Sequence, residues 1–201
     1  IPKAAVTARS FRDVMAVFSA REELAHVQEK IVLAMGDYGV PTRILYRRTG
    51  SMLSYASAPG ASAAPGHLDI VTMKELYRAD QINEQTKIYG IIGNPVLHTA
   101  SPRIHNPAFH AVGINGVYVP FLVDDVRLFF TFADRLPVKG CSVTVPHKQQ
   151  VLPYLGRISR EVKQIGSCNT VVWEREYWKG INTDYYGFLR PIMDLLEQDR
   201  I

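Results

Sequence analysis

An α/β fold of two successive units on largely parallel sheet is predicted by three features of the sequence. Short apolar runs alternate with stretches whose apolar residues recur at helical spacing. A polar stretch without clear period, residues 77–87, interrupts that alternation, and the alternation then restarts. The 201 residues suit one or two domains, since compact domains usually run ~100–200 residues. Hydrophobic residues make up 47% and charged residues 21%, the balance of a globular chain, which excludes disorder and fibrous architectures. No stretch approaches the ~20 consecutive apolar residues of a membrane-spanning helix.

The elements follow in order. Ile1 to Thr7 reads as a strand carrying Lys3, and Ser10 caps a helix in which Phe11, Val14, Met15 and Phe18 recur at helical spacing. Lys30 to Met35 is a second strand, closed by Gly36 and Gly39, and Ser51 to Ala56 is a third after a basic segment. Residues 57–67 are too rich in Gly and Pro for either regular element, and Ile70 to Leu76 ends the first unit as a helix. The stretch 77–87 is the natural linker, with a boundary near residue 84, so that the units are 1–84 and 85–201. Beyond it the pattern predicts strand 87–92, helix 102–112, strand 116–122, helix 124–134, strand 140–145, helix 148–164, strand 168–174 and a helix from Gly187 to Arg200.

Charge and cysteine usage narrow the function. The net charge of +4 divides into 10 basic and 9 acidic residues in 1–84 and 13 and 10 in 85–201, and no run of Lys or Arg exceeds two. A nucleic-acid binder clusters its cations, so the excess is read as attraction for small anions. Cys141 and Cys168 are too few for a disulfide framework and lack zinc spacing, which points to a reducing cytosol and no metal site. Neither is a strong nucleophile candidate. The chain opens at Ile1 with no initiator Met or signal region, inside a strand, and is expected to begin mid-protein.

Four segments of the second unit carry chemistry. The run from Gly93 to Asn106 places Thr99 and Ser101 two apart in a loop, with Pro102 opening a helix; these hydroxyls suit a carboxylate or polyol, or one of them is a helix N-cap. Gly140-Cys-Ser-Val-Thr-Val-Pro-His-Lys148 ends a strand with Thr144 and Lys148 near its C-terminal end, where open α/β sheets bind ligands. Ile165-Gly-Ser-Cys-Asn-Thr170 and Gly180-Ile-Asn-Thr-Asp184 add two Asn-Thr pairs, which taken singly are turn formers.

Together their order and spacing, over roughly residues 87–190, resemble the substrate-binding domain of the shikimate dehydrogenase family. The resemblance implies that Thr99 and Ser101 hold the substrate carboxylate and that Lys148 and Asp184 form the catalytic pair. It also implies that Asn169 and Thr144 bind ring hydroxyls, with Thr170 in the substrate-binding set. Hydride delivery to a ring ketone develops negative charge on oxygen, which a cationic Lys148 stabilises or protonates while Asp184 orients it. Thr99 stands where the family usually has Ser, and its added methyl narrows the pocket, which bears on discrimination between shikimate and quinate.

In the first unit, Lys3 is an ammonium in an apolar strand. Buried, such a Lys has a lowered pKa and becomes a Schiff-base nucleophile; on an edge strand it snorkels to water. Lys3, Met35-Gly-x-x-Gly39, Thr42-Arg43, Gly50-Ser51 and the Ala-Ala-Pro-Gly-His67 loop resemble the last three strand–helix units of type I dehydroquinate dehydratase, a TIM (β/α)8 barrel that dehydrates 3-dehydroquinate through an imine. The resemblance implies Lys3 as the imine-forming residue and Arg43 as the bidentate partner of the substrate carboxylate, both at C-terminal strand ends. The family's late loop reads Ser-Ala-Pro-Gly-Gln; here Ala63 takes the Ser position, Ser62 comes one residue earlier and His67 replaces Gln, so Ser62 and His67 are the candidates for the loop's substrate contacts, His67 as a hydrogen-bond donor.

The two resemblances in one chain imply an internal fragment of a fused dehydroquinate dehydratase–shikimate dehydrogenase: the C-terminal part of the barrel, then the α/β substrate-binding domain. No Gly-rich fingerprint follows a strand, so the Rossmann domain that binds NADP is expected to be missing. The expected partners are 3-dehydroquinate, 3-dehydroshikimate, shikimate and the rest of the parent chain, in the cytoplasm, or in a plastid for a plant parent. The isolated chain is expected to have neither activity, and its partial barrel is expected to expose strand edges. Two other readings are a non-catalytic shikimate-binding module and a monofunctional quinate or shikimate dehydrogenase with a degenerate barrel remnant.

Overall fold

The computed structural model describes residues 1–61 and 66–197. Its first part is a strand–helix–strand unit: β1 (Lys3–Thr7) and β2 (Ile31–Met35) pair in parallel, Lys3 opposite Ile31 and Thr7 opposite Met35, and α1 (Phe11–Glu23) connects them. The start of α1 is fixed by Asp13, whose carboxylate accepts the Arg9 and Ser10 backbone N–H groups at 2.8 and 3.1 Å. A short helix, α2 (Val40–Ile44), follows β2 and is buried along its whole length. All five residues of β1 are exposed, whereas Ile31 to Ala34 of β2 are buried.

The third strand expected at Ser51–Ala56 does not form; a single parallel bridge, Ser57 to Asp69, stands in its place. Side-chain chemistry explains the loss. The Val32 N–H donates to Ser51 Oγ at 2.8 Å, and Ser51 Oγ donates to the Val32 carbonyl at 2.9 Å, so a hydroxyl saturates the edge of β2 that a further ladder needs. The expected helix at Ile70–Leu76 is a helical turn continued as a π-helical turn, Thr72–Leu76, with the Asp69 carboxylate accepting the Val71 and Thr72 N–H groups.

The stretch 77–87, polar in sequence, is packed rather than loose: Tyr77, Ala79 and Ile82 are buried. Arg48 fastens it, donating to the Glu84 carboxylate at 2.8 Å and to the Glu84 and Thr86 carbonyls at 2.8 and 3.0 Å.

The second part is a six-stranded sheet of β3 (Lys87–Gly93), β4 (Gly116–Leu122), β5 (Val138–Val143), β6 (Arg157–Ile158), β7 (Thr170–Glu174) and β8 (Tyr177–Ile181), in the order β4-β3-β5-β7-β8-β6. Helices α3 (Ser101–Ala111) and α4 (Val126–Arg135) connect β3 to β4 and β4 to β5. The predicted helix 148–164 is broken into α5 (His147–Gln150), a 3-10 turn, β6 and α6 (Arg160–Ile165). Pro153 enters the 3-10 turn, and the Gly156 N–H is drawn off to the Trp178 carbonyl at 2.9 Å, so the helical ladder cannot continue. Strand β8 was not expected; it forms a hairpin with β7 around Arg175, which takes a positive φ of 58°. Strand β7 runs antiparallel to both β8 and β5, so the sheet is mixed rather than parallel. The last helix, α7 (Thr183–Glu197), starts before the expected Gly187, and the expected end at Arg200 lies outside the described residues.

The two parts share one core. Phe11 of α1 is fully buried with its ring edge-on to Phe132 of α4 at 5.3 Å and to Phe121 of β4 at 6.4 Å, and its N–H donates to Asp124. Among the described residues, no helix is long and apolar enough to cross a membrane, and no cluster of three or more His, Cys, Asp or Glu is placed to hold a metal ion.

Candidate active sites

In the six-stranded sheet, the C-terminal ends of β5 and β8 and the N-terminal end of β7 lie at one edge, because β7 runs antiparallel to both. That edge gathers the four motifs. Lys148, on α5 just after β5, donates from Nζ to Asp184 Oδ2 at 2.6 Å, and Asp184 stands in the first turn of α7 just after β8. Asn169, just before β7, donates from Nδ2 to Asp184 Oδ1 at 2.7 Å and to Thr183 Oγ1 at 2.8 Å. Its Oδ1 accepts the Thr183 N–H at 2.9 Å and the Thr170 hydroxyl at 3.1 Å. Asn169 is buried, whereas Lys148 and Asp184 are partly open to solvent, with side chains 33% and 58% exposed. A cation with a solvent-facing side thus rests against a carboxylate that a buried amide holds still.

The hydroxyl pair lies on the neighbouring strand end. Thr99 Oγ1 donates to Ser101 Oγ at 3.0 Å and accepts the Ser101 N–H at 3.2 Å. Ser101 is the first residue of α3 and Ala100 is the N-cap, so neither hydroxyl sits at the N-cap position, although Thr99 Oγ1 takes the first N–H of the helix. Thr144 closes against β3: its N–H donates to the Ile92 carbonyl at 3.0 Å, and a Cβ on Gly93 would lie 2.4 Å from Thr144 Cγ2, so only glycine lets the two strand ends approach.

Two polar residues outside the predicted site residues complete this edge. Tyr118 of β4 donates its hydroxyl to Ser142 Oγ of β5 at 2.7 Å, and burial pushes its pKa up to about 12. Asn182 donates to the Ser167 carbonyl at 2.8 Å and accepts the Tyr185 N–H at 3.1 Å, which ties the start of α7 to the loop before β7. Tyr118 was hidden in the sequence because a Tyr in an alternating strand reads as core; Asn182 belongs to the Asn-Thr-Asp motif itself. A 250 Å³ recess lined in part by Tyr118, Ser142 and Thr170 opens here, while larger ones of 510 and 430 Å³ lie away from these residues, so recess size does not mark the site.

In the first part, Arg43 is 1% exposed. Among the described residues its side chain has no hydrogen bond or ion pair, its buried Nε has no partner, and burial lowers its pKa. His67 lies close by: its buried Nδ1 also has no partner, and burial, then the Arg43 charge, lowers its pKa. Gly66 brings this loop against the Gly36 carbonyl, which a Cβ would meet at 2.1 Å, with φ of 75°. Ser62 and Ala63 lie outside the described residues. Lys3 corrects one expectation. It opens β1 instead of closing it, because pairing starts where the Ile31 N–H meets the Pro2 carbonyl at 3.0 Å. Of its two settings, buried or reaching water from an edge strand, Lys3 takes the exposed one, with Nζ 4.2 Å above the Tyr55 ring, a cation–π contact.

Comparison with known proteins matches both parts. Residues 1–84 match the family model of type I 3-dehydroquinase, and residues 91–171 match that of the shikimate dehydrogenase substrate binding domain. The chloroplastic bifunctional 3-dehydroquinate dehydratase/shikimate dehydrogenase of Arabidopsis thaliana is 36% identical over 202 residues, covering 96% of this chain and 32% of that protein. The shikimate dehydrogenase (NADP(+)) of Thermosynechococcus vestitus is 45% identical over 114 residues, 56% of this chain and 40% of that protein. Among solved structures, shikimate dehydrogenase of Aquifex aeolicus superposes with a TM-score of 0.53 at 39% identity, covering 58% of this chain and 45% of that one. The S. pombe dehydroquinate dehydratase and shikimate dehydrogenase shares the fold over 99% of this chain and 38% of that one, at 24% identity and a TM-score of 0.50. The chain thus spans about a third to under half of the relatives it matches. The chain belongs to the type I 3-dehydroquinase family over residues 1–84 and to the shikimate dehydrogenase substrate-binding family over residues 91–171.

Proposed function

We propose that this chain serves two successive reactions of aromatic amino acid biosynthesis: dehydration of 3-dehydroquinate to 3-dehydroshikimate, and reduction of 3-dehydroshikimate to shikimate. The observation that carries the second reaction is the Lys148–Asp184–Asn169 arrangement at the edge where β5, β7 and β8 meet. In this reading Thr99 and Ser101 hold the ring carboxylate, Asn169, Thr170 and Thr144 meet the ring hydroxyls, and Lys148 delivers a proton to the ketone oxygen as charge develops there. Asp184 holds the Lys148 ammonium in place. NADPH supplies the hydride when bound. Among the described residues no Gly-x-Gly-x-x-Gly turn joins a strand to a helix, so these residues do not fit the dinucleotide, and its binding is assigned outside the chain.

For the first reaction, Arg43 is the carboxylate partner, supported by its burial without a counter-ion among the described residues, and His67 and Ser62 are the loop contacts. Lys3 forms the imine with the substrate ketone. The units of this reading are residues 1–84 and 85–201, and its compartment is the cytoplasm, or the plastid, as for the chloroplastic relative.

The test is a coupled assay in the longer parent protein. Feeding 3-dehydroquinate and NADPH is expected to yield shikimate with loss of NADPH absorbance. Lys148→Ala is expected to accumulate 3-dehydroshikimate, and Lys3→Ala to leave 3-dehydroquinate unconverted. Full conversion by either variant refutes the role given to that Lys.

A further inference from the structure

His147 is a polar ring set among core residues, 1% exposed. It stands between the end of β5 and Lys148, and both of its ring nitrogens are engaged. Nε2 lies 2.8 Å from the Val123 carbonyl, just after β4, and Nδ1 lies 2.8 Å from Gln150 Oε1 on α5. A carbonyl oxygen only accepts, so Nε2 carries a hydrogen and donates it. The anchor it reaches is itself fixed. Val123 is fully buried, its N–H donates to the Gly93 carbonyl at the end of β3 at 3.1 Å, and the next residue, Asp124, accepts the Phe11 N–H of α1 at 3.0 Å. Because β3 lies between β4 and β5, no main-chain ladder joins those two strands, and the His147 side chain spans them instead.

The residue after His147 is Lys148. Its carbonyl accepts the Cys168 N–H at 2.8 Å, one residue before Asn169, and its ammonium meets Asp184 at 2.6 Å. Helix α5 has only four residues, too short to hold its own conformation, and a lysine side chain is a flexible stem. The direction in which Lys148 leaves the backbone is therefore set by whatever holds this turn from outside. We propose that His147 is a positioning residue for Lys148: its Nε2 bond to the Val123 carbonyl fixes the turn that carries the ammonium and keeps it beside Asp184, which rests on the reading that Lys148 is the proton donor. Packing alone does not call for an imidazole here. An apolar side chain fills such a space without a buried N–H that must find a partner.

The experiment measures steady-state reduction of 3-dehydroshikimate in the longer parent protein, for wild type, Lys148→Ala, His147→Leu, His147→Gln and the double variant carrying both His147→Leu and Lys148→Ala. His147→Leu is expected to lower kcat about 10–100-fold with KM within about twofold of wild type, the cost of a slightly misplaced group. Glutamine brings an amide N–H near the place of Nε2, so His147→Gln is expected to return kcat to within about threefold of wild type. Because His147 acts through Lys148, the double variant is expected to be no slower than Lys148→Ala alone. A role in packing alone would multiply the two losses. Wild-type kcat in His147→Leu, multiplied losses in the double variant, or no rescue by glutamine overturns the role of His147 while a slow Lys148→Ala keeps the proton donor. Wild-type kcat in Lys148→Ala removes the proton donor and the role of His147 with it. Should His147→Leu not fold, Gln150→Ala decides, since Gln150 is exposed: a several-fold loss of kcat that disappears in the Lys148→Ala background is expected, and an unchanged kcat overturns the role of His147.

Discussion

The Lys148 ammonium stands 2.6 Å from the Asp184 carboxylate, joining the turn after β5 to the first turn of α7. The two residues are 36 apart in sequence and are brought together by the β7–β8 hairpin, which returns the chain to the edge from which β5 leaves. The pair is 33% and 58% exposed, so it contributes under about 1 kcal/mol to folding. Stability therefore does not explain its position.

Lys148→Ala and Asp184→Asn are accordingly expected to leave the melting temperature of this chain nearly unchanged. In the parent protein, Lys148→Ala is expected to lower kcat for 3-dehydroshikimate reduction by about 10²–10⁴ with a small effect on KM, the range of a lost proton donor. Steady-state kinetics beside a melting curve check both halves. A large loss of stability with intact turnover would reverse the assignment.

Arg43 makes the opposite trade. A guanidinium buried without a partner among the described residues destabilises the free protein. Arg43→Met keeps the volume and removes the charge, and is expected to stabilise the ligand-free chain by about 1–3 kcal/mol in urea unfolding. The same change is expected to abolish 3-dehydroquinate turnover in the parent. Destabilisation by Arg43→Met would show that the guanidinium is already satisfied.

Acid should weaken the fold through two histidines. Burial lowers the pKa of His105, and burial together with the Arg43 charge lowers that of His67, both from 6.5. As pH falls through 6.5 the unfolded chain takes up these protons before the folded one does, so stability present above 6.5 is lost down to the depressed folded values and then levels off. Urea midpoints across that window are expected to fall with pH. His67→Gln is expected to remove part of the slope, and an unchanged slope would dismiss the His67 environment.

Phe11 couples the two parts of the molecule. It is fully buried against Phe121, Phe129 and Phe132, and truncation of such a ring costs about 3–5 kcal/mol. Phe11→Ala is expected to split the single unfolding transition in calorimetry, with the part around β1 and β2 melting first. A single transition shifted as a whole would mean that the coupling lies elsewhere, for instance in the Arg48 bond to the Thr86 carbonyl.

Much of this was legible in the sequence. Strands with strong apolar alternation and clear punctuation, such as Gly116–Leu122, fall where they were read, and the motif residues Thr99, Ser101, Thr144, Lys148, Asn169 and Asp184 come to one edge. What escaped depends on partners distant in the chain. Ser51–Ala56 has a strand's composition, but the Ser51 hydroxyl saturates the β2 edge. The helix at 148–164 has helical spacing, but Gly156 is claimed by Trp178. Lys3, among apolar neighbours, reads equally as buried or as reaching water, and only the fold shows β1 exposed on all five residues. The Tyr118 hydroxyl is seen to reach this edge only once Ser142, on another strand, is placed beside it.

The central claim, that the edge formed by β5, β7 and β8 binds a carboxylated polyol ring, is tested most directly by calorimetric titration of this chain with shikimate. Saturable one-to-one binding is predicted, tighter than about 1 mM as substrate sites generally are, and it should disappear in Asn169→Ala while the chain still melts cooperatively. Absence of any saturable heat from a chain that melts cooperatively would contradict the account.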